Sequence, residues 1–131
     1  MPSLFTKIIN GEIPSIKVHE DSRTLAIMDI YPIQRGQILI FPKLEISTVW
    51  DMPTEDYRAL MDAVQEAGQK IQKVFPEKAR VGVVIEGMQI TDHAHVKVFP
   101  FSTISEFHHI PDPSDAPSQE DLEQLAQQLH F

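Results

Sequence analysis

From Thr54 to Phe75 the residues Tyr57, Leu60, Met61, Val64, Ala67, Gly68, Ile71, Val74 and Phe75 recur at every third or fourth position. That spacing puts them along one side of a helix. Thr54 is suited to cap it, Glu55 and Asp56 suit its positive end, and Lys70 and Lys73 suit the other. Pro76 marks the stop. A helix with one apolar stripe has to bury it, and the flanking chain offers strands rather than a second long helix.

Strands are expected at residues 16–20 and 24–30, with Asp21-Ser22-Arg23 as the turn between them, and at 37–41 after a turn at Arg35-Gly36. Two more are expected after the helix, at 80–85 and 93–99. Residues 43–51 read as loop with a helical turn. The order predicts an α+β fold: a five-stranded, mostly antiparallel sheet in a meander, with the long helix on one face. A short helix should precede it, capped by Ser3, carrying Leu4, Phe5, Ile8 and Ile9 and ended by Asn10-Gly11.

Residues 1–104 are expected to form the main domain, and 105–131 a tail. Pro111, Pro113 and Pro117 predict an extended, helix-free linker. Ser118 then caps a short C-terminal helix with Leu122, Leu125, Ala126 and Leu129 on one face. So few leucines suggest weak anchoring, on the body or on a partner chain.

The chain has 131 residues and no cysteine, which excludes disulfides and thiolate chemistry. A net charge of −8 argues against nucleic acid as a partner. No apolar run approaches the roughly 20 residues of a membrane span, and the first residues lack a secretory pattern. Cytoplasmic localisation, with no membrane partner, is the expectation.

Chemistry concentrates in His93-Ala94-His95-Val96-Lys97-Val98-Phe99-Pro100-Phe101. Alternation puts His93, His95 and Lys97 on one face of a strand, opposite Ala94, Val96 and Val98. A neutral imidazole is a good nucleophile towards phosphorus, provided its other ring nitrogen is held by an acceptor. Lys97 would hold a phosphate oxygen, and Gln89, four residues before His93, would donate to a leaving oxygen. The same row also fits a solvent-facing pair beside a solubilising lysine, or part of a metal site. His108-His109 reads as a solvated pair, and His19 and His130 have no partner in view.

Phe5-x-Lys7-Ile8-Ile9-Asn10-Gly11-Glu12-Ile13-Pro14, Val18-x-Glu20-Asp21, Leu25-Ala26-x-x-Asp29-Ile30-x-Pro32 and Gly36-x-x-Leu39-Ile40-x-Pro42-Lys43 together resemble the opening of histidine triad proteins. Gln89-x-x-x-His93-x-His95-x-Lys97-x-Phe99-Pro100 sits where that family carries Gln-x-x-x-His-x-His-x-His-x-x-Pro. The resemblance covers about residues 3–101 and implies a five-stranded antiparallel sheet with helices, usually in a homodimer. It also implies binding of a nucleotide, here expected to be a purine nucleotide. Many members hydrolyse a nucleoside monophosphate from an amine, a phosphate or another nucleotide.

By position the resemblance makes His95 the nucleophile that forms a nucleotidyl-histidine, His93 the first histidine of the triad and Gln89 the family's glutamine. Phe5, Ile8, Ile13, Ile30 and Leu39 match its apolar base pocket, and Asp29 its ribose-holding acid. Lys97 replaces the third histidine; it can bind phosphate, but an ammonium donates a proton reluctantly near neutral pH. Gln37 stands where many members carry a further active-site histidine. Ser3, Thr6 and Glu45 occupy the zinc positions of zinc-binding members, so neither a metal nor another cofactor is expected. A catalytically impaired nucleotide-binding or scaffolding protein is the alternative.

Overall fold

The computed structural model describes residues 1–131. The chain folds as α1 (Leu4–Ile9), β1 (Lys17–Glu20), β2 (Thr24–Met28), β3 (Ile38–Pro42), a 3-10 turn (Val49–Asp51), α2 (Thr54–Val74), β4 (Arg80–Val84), β5 (Val96–Phe101), α3 (Ile104–Phe107), a 3-10 turn (Pro113–Asp115) and α4 (Gln119–Leu129). The expected α+β architecture is present, with every pairing antiparallel. It is not a simple meander. The strand order is β1-β2-β3-β5-β4, so α2 carries the chain to the far edge and β5 returns to fill the gap.

Period-two alternation sorts the sheet into two apolar faces. Ala26, Met28, Ile38, Ile40, Val96 and Val98 join the α2 residues Leu60, Ala63, Val64, Ala67 and Ile71 in the main core. Burying each large side chain among these stabilises the fold by roughly 1.5–3 kcal/mol. Leu25, Ile27, Leu39 and Phe41 face the other way, where Phe5 and Ile8 of α1 cover them. Helix α1 is only six residues long and leaves part of this second face open.

Several boundaries differ from expectation for local reasons. Helix α2 is capped by Pro53, and Thr54 is its first helical residue. Its acidic first turn does hold: Arg23 bridges Glu55 and Asp56 at 2.9 and 3.0 Å. Strand β2 stops at Met28, and Ile30 leaves the sheet half-exposed. Gly36 makes the turn into β3 with φ +94°, and a Cβ there would lie 2.7 Å from the Phe75 ring. Strand β5 begins at Val96 rather than at His93, and runs on through Pro100. Pro100 pairs with Val81 of β4 but lies beyond Val98, the last β5 residue paired with β3, so on that side no strand needs its missing N–H.

The tail is less extended than expected. Phe107 of α3 packs on Phe99 and Phe101, with centroids 5.3 and 5.1 Å apart. The linker contains the short turn at Pro113–Asp115, capped by Asp112. Leu122, Leu125, Ala126 and Leu129 of α4 are all buried in the main core, so this helix docks on its own body. Arg35 grips Asp121 at 2.7 Å beside it. His19, expected to lack partners, stacks on Phe131 with centroids 4.5 Å apart and contacts Asp21 at 2.9 Å.

Candidate functional site

The opening left by α1 on the second face of the sheet is a cavity of about 210 Å³. Its wall brings together Phe5, Ile8, Asp29, Ile30, Leu39, Gln89, His95 and Lys97 from the expected set. Leu4, Met28, Tyr31 and Ile90 also line it and were not anticipated. Their positions beside Phe5, Asp29, Ile30 and Gln89 in sequence were the only available signal. Ile13 does not reach the wall; it packs against the Phe5–Phe41 cluster instead. His93 is not in the wall either, because its side chain is fully buried behind it.

His93 and His95 therefore do different jobs. His93 Nε2 faces the Pro42 carbonyl at 2.7 Å, which can only accept, so Nε2 carries the proton. Nδ1 then accepts from the Ser3 hydroxyl at 2.7 Å. Burial pushes the His93 imidazole below its ordinary pKa, outweighing the Pro42 carbonyl and the charge of Glu45, and keeps it neutral. His95 Nδ1 donates to the backbone carbonyl of His93 at 2.9 Å. With that nitrogen committed as donor, neutral His95 presents its lone pair at Nε2. The Phe5 ring edges both imidazoles, with centroids 5.5 Å from His93 and 5.2 Å from His95.

Lys97 is nearly withdrawn from water, its side chain 13% exposed, and its ammonium contacts Glu86 at 2.9 Å. For Glu86, burial favours the neutral acid, but the Lys97 ammonium and the Met88 N–H prevail and hold it below the usual carboxylate range. At the other end of the cavity, Asp29 accepts from the Tyr31 N–H at 2.9 Å and from Gln37 Nε2 at 2.7 Å. The Gln37 side chain is buried and also accepts from the Ile33 N–H, so it braces Asp29 and does not enter the cavity.

A second cavity of about 190 Å³ adjoins the first and shares His95 with it. Ser47, Thr48, Val49 and Trp50 form one side, and Ile85, Glu86, Gly87 and Thr91 the other. Nothing in the sequence pattern joins these two loops.

Ser3, Thr6 and Glu45 do come together. Glu45 Oε1 accepts from the Ser3 N–H at 2.6 Å and the Thr6 hydroxyl at 2.8 Å. Two hydroxyls, one carboxylate and an imidazole with both nitrogens engaged are a poor fit to zinc, which takes thiolate, free imidazole and carboxylate ligands. The cluster is a hydrogen-bonded brace between α1, the segment after β3 and His93.

The HIT domain family model matches residues 10–104. An uncharacterised HIT-like protein of Mycobacterium tuberculosis is 32% identical over 103 residues, spanning 76% of this chain and 72% of its own. An adenosine 5'-monophosphoramidase of Candida albicans is 32% identical over 105 residues, spanning 74% of this chain and 68% of its own. Among solved structures, a HIT-like protein of Bartonella henselae aligns with a TM-score of 0.83 at 28% identity, covering 97% of this chain and 93% of that one.

Proposed function

The chain belongs to the HIT domain family, and from that premise we propose that it binds a purine nucleoside monophosphate group and hydrolyses its bond to an amine, phosphate or nucleotide through His95. The observation that carries this reading is His95 in the cavity wall with Nδ1 held by the His93 carbonyl. That arrangement leaves Nε2 free to attack phosphorus and form a nucleotidyl-histidine, which water then cleaves. Phe5, Ile8, Ile30 and Leu39 would hold the base and Asp29 the ribose hydroxyls. Gln89 and Lys97 would hold phosphate oxygens, Lys97 standing in for the third histidine of the triad. Ile13 supports this pocket from behind, and His93 orients His95.

The test is hydrolysis of adenosine 5'-phosphoramidate. Wild type should release AMP, and His95→Ala should reduce the rate by at least about 100-fold. Equal rates in the two proteins overturn the mechanism. A cytoplasmic homodimer is part of the same reading: β4 is an outer strand with one edge unpaired, carrying Val83 42% exposed and followed by Ile85 at 38%. Light scattering in solution tests it, and a monomer at micromolar concentration overturns it.

A second reading is a nucleotide-binding protein without turnover. It is favoured by Lys97 being paired with Glu86 and by Gln37 being committed to Asp29 and Ile33. Calorimetric binding of AMP without hydrolysis of any nucleotidyl substrate would establish it.

A further inference from the structure

We propose that the nucleotide cavity continues past Ile30 into a third cavity, and that this one takes a short alkyl chain carried on the 6-amino group of an adenine. The inference rests on nucleotide binding in the first cavity and adds which purine is bound there. The third cavity has a volume of about 140 Å³ and is lined by Pro14, Ser15, Ile16, Met28, Ile30 and Gln119. Met28 and Ile30 line the first cavity as well, so the two meet along that edge.

A nucleotide in the first cavity brings one edge of its base to this junction. With phosphorus at His95 and the ribose hydroxyls at Asp29, the base packs on Ile30, the next residue along the wall. In a purine nucleotide the sugar is joined to the five-membered ring. Position 6 lies on the six-membered ring, at the edge away from the sugar. A base packed on Ile30 turns that edge towards the third cavity.

The lining states what such a group can be. No ionisable side chain is among the six, so a charged substituent would lose water without gaining a partner. Pro14, Ile16, Met28 and Ile30 are apolar, and Ile30 is 54% exposed, surface that an alkyl chain would take out of water. At roughly 30 Å³ for each water-sized group, the space suits a chain of about four carbons. Its walls are fixed by the fold. The Met28 N–H donates to the Ile16 carbonyl at 2.9 Å, tying the end of β2 to the segment before β1. Gln119 stands in the first turn of α4, which buried Leu122 and the Arg35–Asp121 pair at 2.7 Å hold in place. Its Nε2 donates to Glu123 at 3.2 Å, which steadies the side chain along the helix.

Calorimetry with AMP, N6-butyl-AMP and 8-butylamino-AMP tests the site, because position 8 lies on the five-membered ring. N6-butyl-AMP should bind roughly tenfold more tightly than AMP, and 8-butylamino-AMP no more tightly. Ser15→Phe should fill the third cavity and cancel that gain while leaving AMP affinity unchanged. Gln119→Trp, at an exposed helix position, should do the same from α4, and it decides the matter if Ser15→Phe does not fold. Equal affinity for N6-butyl-AMP and AMP, an equal gain from the 8-butylamino group, or a gain kept in folded Gln119→Trp overturns the proposal. In each of those cases the binding of AMP leaves the nucleotide reading standing. If neither AMP nor N6-butyl-AMP binds, both fall.

Discussion

Gln37 Nε2 donates to Asp29 Oδ2 at 2.7 Å, so a buried neutral amide fixes a carboxylate at the rim of the cavity. Its Oε1 meanwhile satisfies the Ile33 N–H at 2.8 Å, tying down the turn that leads into β3. Gln37→Leu keeps much of the volume but strips both partners. Urea unfolding should show a loss of about 1–3 kcal/mol. AMP affinity should also fall, since Asp29 is left with the Tyr31 N–H alone. An unchanged calorimetric affinity in the folded variant would show that Gln37 does not position Asp29.

Ser3 serves two structures with one hydroxyl. Its oxygen accepts from the Thr6 N–H at 3.0 Å, capping α1, while its proton goes to His93 Nδ1. Ser3→Ala removes both, at a cost of roughly 2–4 kcal/mol from the lost cap and the orphaned buried nitrogen. Because His93 carries the carbonyl that holds His95, kcat should fall more than KM rises. A variant with wild-type kcat would mean that His93 is held well enough by Pro42 alone.

The legible parts of this fold were those written as a side-chain period. The three-to-four spacing from Tyr57 to Val74 is α2, and the alternation in β2, β3 and β5 sorts the two faces of the sheet. The errors arose where backbone partners, not side chains, decide. Alternation continues through His93, but the Ala94 N–H goes to the Ile46 carbonyl, so the strand starts only at Val96. Likewise nothing local says that β5 inserts between β3 and β4. Within the site, the family motif located the wall residues His95, Lys97, Gln89 and Asp29. It could not show that His93 is buried or that Gln37 turns to Asp29, since these follow from contacts across the sheet. The second cavity lies between loops some forty residues apart and has no sequence signature.

Docking of α4 on the body makes its leucines core residues. Leu125 is 2% exposed and belongs to the same cluster as Leu60 and Ile71. Leu125→Ala should therefore cost about 2–5 kcal/mol in a single cooperative transition. A loss below about 0.5 kcal/mol, the range of surface substitutions, would mean that the helix is not packed in solution as described.

Two histidines should give the pH dependence of stability opposite slopes. Burial lowers the His19 pKa, but hydrogen bonds to Asp21 and the Phe131 carbonyl, with the charges of Asp21 and Glu66, raise it above 6.5 on balance. A group raised in the fold contributes stability that is fully present below its unfolded value and lost as pH rises through the folded one. For His93 the folded value lies below 6.5, so its contribution is present above the unfolded value and lost as pH falls. Between about pH 7 and 5 the two partly cancel. Replacing His19→Asn removes the compensating histidine, so urea-derived stability should fall more steeply from pH 7 to pH 5 than in wild type. The carboxylates lowered in the fold, Asp21 and Glu86 among them, act near and below their ordinary values of 3.8 and 4.5 and leave this window largely untouched. Parallel pH profiles for the two proteins would show that the His19 contacts with Asp21 and Phe131 are not maintained in solution.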